Sequence, residues 1–364
     1  MGVLIAFLVI VVVVCGAIFW RMHVRSGQRV VIGNRTKSKM EPYLFILPVF
    51  VLLLVMFGYP LINSFIMAFQ DYKLTGSGKA AFNGIENFKK LFDDTDTFMI
   101  VKNTLIYVLI SVAGQFLLGM VLAMALKKQF RGRGLYQSIV FLPWAFSGFV
   151  IGLMFRWSFN GEYGVVNDIL LNLGIIKESI AWLGTPGVSL AVIIMAMIWM
   201  GIPFFAIMIL AALQSIPADV YEAADVDGCG AIRKYFQITL PYIKPTIITT
   251  ILLRTIWIFN SFDLVVIITN GGPANTSQTL PAYMYSKAFG TYDFGFAAAI
   301  ECCLWLFWAS LQSSFCVLQI TIRQVISNEE NGKKKSIRIW KIFYFSIFSC
   351  TCGTSDLLDD HYIL

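Results

Sequence analysis

Charge is what this chain has least of. Of its 364 residues only 13% are Asp, Glu, Lys or Arg, while 58% are hydrophobic. Mean hydropathy is +0.74. A soluble domain carries about 25% charged and roughly 45–50% apolar residues. Two soluble domains of this length need far more polar surface. A soluble enzyme, a nucleic-acid-binding domain and a disordered chain are therefore excluded. Histidine is scarcer still: His23 and His361 are the only two. The seven cysteines form no CxxC pair and mostly lie in apolar stretches, where Cys behaves as a small hydrophobe. Neither a zinc site nor a disulfide framework is indicated. There is no G-x-x-x-x-G-K-[ST] loop and so no phosphate cradle. No cofactor and no metal are expected in this chain.

What the chain has is long apolar runs. About 20 apolar residues cross a bilayer as a helix. Seven such runs are present: 3–20, 43–69, 104–126, 136–159, 188–213, 243–268 and 294–318. They are too long and too evenly apolar for barrel strands. In lipid the backbone must satisfy its own hydrogen bonds, so helices follow. The expected class is an all-α polytopic helical bundle. The first run lacks the positive leader and small-residue cleavage site of a signal peptide, and reads as an uncleaved anchor.

The net charge of +7 is a topology signal more than a ligand signal. Lys and Arg number six in 21–42, four in 127–135, three in 214–244 and six beyond 318. The intervening loops carry seven in all, five of them in 70–103. Basic residues mark the cytoplasmic side. The expected arrangement puts the N-terminus outside and the 127–135 loop, the 214–244 loop and the tail inside. Loops 70–103, 160–187 and 269–293 are then external.

One inner stretch is more than a connector. Residues 214–245 read QSIPADVYEAADVDGCGAIRKYFQITLPYIKP. Ser215 and Pro217 are helix-start signals. Asp219 and Glu222 suit the positive end of the helix dipole. Gly228 can end the helix in a left-handed conformation. A second short helix is expected over 231–239, stopping before Pro241. The spacing predicts a helical hairpin that either joins two spans or docks a partner.

Glu222-Ala223-Ala224, then Gly228, then Ile238-Thr239-Leu240-Pro241 resembles the EAA signature of permease subunits of binding-protein-dependent ABC importers, with matching spacing at every position. FNGIENFKKLF (82–92), the 131–160 stretch, WLGTPGVSL (182–190) and FDLVVIITNGGPANTSQTL (262–280) are similar to the sugar-permease branch, in particular its larger maltose and glycerol-3-phosphate subunits. The resemblance runs from about residue 42 to 300. It implies a type I importer transmembrane domain of six core spans over 42–318, preceded by an extra span and basic linker at 1–41. It also implies a chain without enzymatic activity, in a bacterial inner membrane. Its partners would be a second permease subunit in a heterodimer, two cytoplasmic ATPase subunits that bind the ATP, and an extracytoplasmic solute-binding protein. No nucleic-acid partner is implied.

Under that resemblance, Glu222, Ala223, Ala224, Gly228, Ile238, Leu240 and Pro241 couple the chain to an ATPase. Glu222 pairs with a basic group, the alanines allow close approach, Gly228 turns the chain, and Leu240-Pro241 sets the second helix's exit. The solute path would follow three spans. Its expected lining is Trp144 and Gly148 after Pro143, then Met197, Met200 and Gly201 before a kink at Pro203, then Trp257, Asn260 and Ser261. Helix–helix packing is the plainer reading of each. Arg254 is expected either against a carboxylate or along an interior water path. The solute would be a sugar or oligosaccharide, with a glycerol phosphodiester or polyol as the alternative and a solitary secondary transporter as a further one. Asn270-Gly271-Gly272-Pro273 and 160–187 are expected to meet the binding protein. The tail departs from the resemblance. Glu301-Cys302-Cys303 places a costly carboxylate in the last span. It reads either as functional or as a local shift of reading frame, and 319–364 as an atypical, frame-disrupted tail.

Overall fold

The computed structural model describes residues 41–75, 80–128 and 130–310. The expected first span and the tail beyond 310 lie outside them. The first described helix joins α1 (Glu41–Leu53) through a π segment (Leu54–Gly58) to α2 (Tyr59–Ala68). A two-residue hairpin follows, with β1 (Gln70–Asp71) antiparallel to β2 (Ala81–Phe82). Then come α3 (Glu86–Asp93), α4 (Thr95–Lys127), α5 (Arg133–Ala145), α6 (Gly148–Ser158) and α7 (Val165–Asn172). Next are α8 (Val188–Gln214), α9 (Ala218–Val226) and α10 (Ala231–Lys234). A π segment (Tyr235–Thr239) leads into α11 (Leu240–Asn260). The rest is α12 (Asp263–Ile268), α13 (Leu280–Tyr285), a π segment (Ser286–Gly290) and α14 (Phe294–Ser310).

Among the described residues four helices are long and apolar enough to cross a membrane: Ile46–Ala68, Thr95–Lys127, Val188–Gln214 and Ala231–Asn260. The all-α expectation holds, with three differences in how the spans are built. The run 136–159 is not one helix. α5 and α6 meet at 92°. Pro143 lies in the last turn of α5, Phe146 is extended, and the Ser147 hydroxyl accepts from Val150 N–H to start α6. The run 243–268 is also broken, at an extended Ser261, and Asp263 opens α12. Conversely, Pro241 does not stop a helix. The chain is helical from Ala231 to Asn260.

The reason is local. Proline lacks an N–H and collides with the carbonyl four residues back. In the π segment, the Leu240 N–H reaches five residues back to the Tyr235 carbonyl. That wider turn absorbs the misfit one residue before Pro241. The same device precedes Pro60, where the Tyr59 N–H reaches the Leu54 carbonyl.

The core is the α4–α8 pair. Along α4, Tyr107, Ser111, Gln115, Gly119 and Ala123 are buried at four-residue spacing, the period of one helix face. Facing them on α8 are Met197, Gly201 and Phe205. A Cβ on Gly119 would stand 2.5 Å from Phe205 Cβ and 3.1 Å from the Ala206 nitrogen, so the two backbones touch there. At the end of the bundle away from α9, the 270–280 loop is fastened onto α4. Asn103 Nδ2 donates to the Thr276 carbonyl at 2.9 Å, Leu280 N–H to Thr104 Oγ1 at 2.9 Å, and Asn275 Nδ2 to Asp96 at 2.7 Å. Ser277, Gln278 and Thr279 are buried there. Nearby, Lys73 and Asp293 pair at 2.8 Å, which holds the Lys73 ammonium above the usual lysine range.

Gly119→Val should force α4 and α8 apart and cost about 1–3 kcal/mol. Gly134→Ala, in open space within α5, should be neutral or stabilising by about 0.5–1 kcal/mol. Thermal unfolding of the purified chain in detergent checks both. Equal melting temperatures for the two variants would contradict the contact.

Candidate solute path and coupling hairpin

The two broken helices meet at their breaks. Ser261 Oγ donates to Asp263 Oδ1 at 2.8 Å. A Cβ on Gly148 would lie 2.3 Å from Asp263 Oδ2, so the first residue of α6 leaves the room that this carboxylate fills. Beyond the breaks α6 and α12 run together. Gly152 faces Ile267, and Arg156 Nη1 donates to the Ile267 carbonyl at 3.2 Å. Among the described residues no cation pairs with Asp263. Half-helices abutting inside a bundle are a recurring way to present polar groups where continuous helices cannot.

Beside the breaks stands an aromatic group. Phe204 on α8 packs against Trp144 of α5 at 5.9 Å and Trp257 of α11 at 5.2 Å between ring centroids. Trp144 and Trp257 remain about half exposed, at 49% and 45%. Sugars offer apolar ring faces to such surfaces and hydroxyls to groups such as Ser261 and Asp263.

Arg254 lies directly beneath, with its guanidinium carbon 5.8 Å from the Phe204 ring and 6.0 Å from the Trp257 ring. It is 5% exposed. The expected carboxylate partner is absent among the described residues. Arg254 Nε donates instead to Gln115 Oε1 at 2.7 Å, and Nη2 lies 3.9 Å from Met197 Sδ. The Gln115 amide then donates to the Met197 carbonyl at 2.7 Å. Gly201 makes the space, since a Cβ there would meet the Gln115 amide at 2.1–2.4 Å. A neutral amide satisfies the cation's donor without adding a second charge to be desolvated.

The expected lining residues thus divide. Trp144, Trp257, Gly148 and Ser261 gather around the aromatic group and the breaks. Met197 and Gly201 are buried in the Arg254–Gln115 junction, and Met200 is half-buried against the core. Asn260 is exposed, and its amide turns back to its own helix at the Ile256 carbonyl. α8 continues unbroken across Pro203. Tyr107, Phe204 and Gln115 were not anticipated. Tyr107 is buried beside Ser261, and its hydroxyl completes no hydrogen bond of normal geometry among the described residues. A lone Gln in an apolar run was the available signal for Gln115.

The hairpin forms as its turn residues dictate. Pro217 precedes α9, and Asp219 sits in its first turn. At its end Gly228 takes φ +70°. Gly228 N–H bonds to the Asp225 carbonyl and Cys229 N–H to the Ala224 carbonyl, the paired bonds of a Schellman turn. Asp225 and Lys234 form an ion pair across the turn. Ala224 is buried, Ile238 and Leu240 are half-buried, and Glu222, Ala223, Gly228 and Pro241 are exposed. The outer surface also bears Val226, Ile232 and Phe236, at 89%, 78% and 60% exposure. Pro241 sets no exit, because the helix passes straight through it. Among the described residues no group of His, Cys, Asp or Glu is placed to hold a metal ion. Glu301 of α14 accepts a hydrogen bond from the Ser64 hydroxyl of α2.

Residues 115–321 match the family model described as binding-protein-dependent transport system inner membrane component. The sulfoquinovosyl glycerol transport system permease protein of Agrobacterium fabrum is 36% identical over 79% of this chain and 90% of its own length. The trehalose/maltose transport system permease protein of Thermococcus litoralis is 33% identical over 71% of this chain and 86% of its own. A crystal structure of a bacterial ABC transporter involved in import of the acidic polysaccharide alginate contains a chain that superimposes with a TM-score of 0.65 at 26% identity. That superposition covers 74% of this chain and 92% of that one. A chain of a bacterial alginate ABC transporter in complex with an alginate pentasaccharide-bound periplasmic protein gives a TM-score of 0.63 at 26% identity.

Gln115→Leu should leave the buried guanidinium without its acceptor and cost about 2–3 kcal/mol. Adding Arg254→Met should recover most of that loss, because both polar partners are then gone. A double-mutant cycle by thermal unfolding checks this. Additive losses would mean the two side chains do not depend on each other.

Proposed function

Because the chain belongs to the family of binding-protein-dependent transport system inner membrane components, we propose that it passes a sugar or oligosaccharide across the inner membrane, with its EAA hairpin carrying the ATP-driven stroke. It is a multi-pass membrane transport protein and not an enzyme. The observation that carries the coupling half is the exposed, apolar-tipped hairpin with Glu222 and Ala223 outward. Such a surface has no use in water or lipid alone. An ATPase subunit is its occupant. Ala223 allows close approach, Glu222 meets a basic group, Gly228 keeps the turn, and Ile238 and Leu240 seat the second arm on the spans.

The solute half rests on the Trp144–Phe204–Trp257 group beside Ser261, and on sugar-transporting relatives. These favour a sugar over a polyol or a glycerol phosphodiester. The half-exposed tryptophans leave one side of the path open for a second permease subunit, giving a heterodimer over two ATPases. The basic loops support a cytoplasmic hairpin and an external N-terminus. The 160–187 segment faces the binding protein. Asn270-Gly271-Gly272-Pro273 meets it as well, held in place by the loop that follows, which is fastened onto α4.

Pull-down from detergent tests the assembly, with wild type beside Glu222→Lys combined with Gly228→Pro. Wild type should bring down a second permease and an ATPase, identified by mass spectrometry. The variant should lose the ATPase by about tenfold or more, which is about 1.4 kcal/mol of docking free energy or larger. Wild type isolated alone, where a known importer keeps its ATPase, would refute the reading. In the assembled complex, Trp257→Ala should raise the half-saturating sugar concentration about fivefold or more, read as sugar-stimulated ATP hydrolysis. An unchanged value would remove Trp257 from the path.

A further inference from the structure

Tyr221 lies one residue before Glu222, half-buried on the inner side of α9. Both of its chemical faces are occupied. The Lys127 ammonium stands 3.9 Å from its ring centroid. Its hydroxyl lies 2.9 Å from Thr239 Oγ1. Lys127 is the last residue of α4, and Thr239 closes the π segment that runs into α11. One side chain of the hairpin therefore reaches the ends of two different spans.

The connectivity gives this weight. The hairpin is covalently continuous with α8 on one side and α11 on the other, so a push on it reaches those spans through the backbone. α4 is separated from the hairpin by α5, α6, α7 and α8. A push reaches α4 only through noncovalent contact. Yet α4 holds Gln115, which secures Arg254, and Tyr107, which lies beside Ser261. Of the three spans that meet at that junction, α4 alone has no backbone link to the lever, and at the hairpin end it depends on side-chain contact.

The lever itself is stiff. The Schellman turn and the Lys234–Asp225 ion pair brace its two arms against each other. What it needs is a joint to α4. An ammonium over an aromatic face is attractive and tolerates sliding, because the ring's negative face is broad. The hydroxyl bond to Thr239 fixes the ring's tilt at the same time. Phe would supply only the first contact, and Leu neither.

We propose that Tyr221 is a positioning residue that clamps α4 to the coupling hairpin, so that an ATPase moving α9 also moves α4 and the Gln115–Arg254 junction. This rests on the hairpin being the ATPase-docking element. Rigid-body steps of this kind need both sides of a junction to shift together.

Hydrogen–deuterium exchange of the purified complex tests it, with and without adenylyl imidodiphosphate and Mg2+. ATPase retention is measured in parallel by pull-down. In wild type the nucleotide should change exchange in residues 231–243, and also at the distant end of α4, residues 95–104, by about fivefold or more. In Tyr221→Leu and Lys127→Gln the ATPase should stay bound and 231–243 should still respond, while the 95–104 response is lost. Lys127→Arg, which keeps the cation, should restore it. Tyr221→Phe should retain a reduced response. A 95–104 response unchanged in Lys127→Gln overturns the clamp. So does a wild type in which 95–104 never responds, or a Lys127→Gln chain that fails to hold the ATPase, since the contact would then serve docking and not transmission. A wild type without any ATPase overturns the docking reading first, and the clamp with it.

Discussion

A guanidinium held in an apolar interior by one carboxamide is the constraint around which the described bundle is arranged. Arg254 comes from α11, Gln115 from α4, and the carbonyl that orients Gln115 from α8. Three long helices are thereby fixed in rotation and height. A buried cation is costly unless its donors are met. The junction therefore tolerates little displacement of one helix past another. Glycines follow from it: Gly201 exists as space for the Gln115 amide, and Gly119 lets α4 and α8 approach one turn further on. The aromatic group lies on the guanidinium, and the two helix breaks lie just beyond the aromatics.

The general plan was legible in the sequence. Long apolar runs can be little other than membrane helices, and the EAA spacing named a family from thirty residues. The hairpin was legible in detail as well, because turns are local. Pro217 and Gly228 act through their own backbone and Asp219 through its charge in the first turn, all within a few residues. What sequence reading missed has a common cause. Pro241 reads as a stop only if the helix before it is α-helical, and a single wider turn removes the conflict. Ser261 reads as an ordinary span residue until Asp263 and Gly148 are seen to share one space, 115 positions apart in the chain. For Arg254 a carboxylate or an interior water path was expected, and its partner proved to be an amide 139 residues away. Hydropathy cannot register that pairing, since Gln115 sits in a run that remains apolar on average.

The path and the hairpin are mechanically different objects. Around the path, helices are interrupted and polar groups stand between them, so small shifts alter which groups meet. At the hairpin the chain is braced by a capped turn and an ion pair. Concentrating stiffness where force arrives and interruption where the solute passes is consistent with alternating access. A rigid lever loses little motion on the way in, and a broken helix can change its gap without unwinding.

The helix Ile46–Ala68 stands apart from all of this. Among the described residues none of the side chains in its apolar window is buried, and its hold on the described bundle is concentrated at one end. There Ala68 packs on Ala298, Ala299 and Cys302, and Phe65 meets Trp305. It behaves as a mast stepped at its foot and free along its length. Its lateral lean is then set by whatever surrounds the protein. Sequence drift along its upper two-thirds would leave the packing of the described bundle almost untouched. The pattern of tolerated residues there would record the neighbours, lipid on one flank and protein on another, as a cast records a mould.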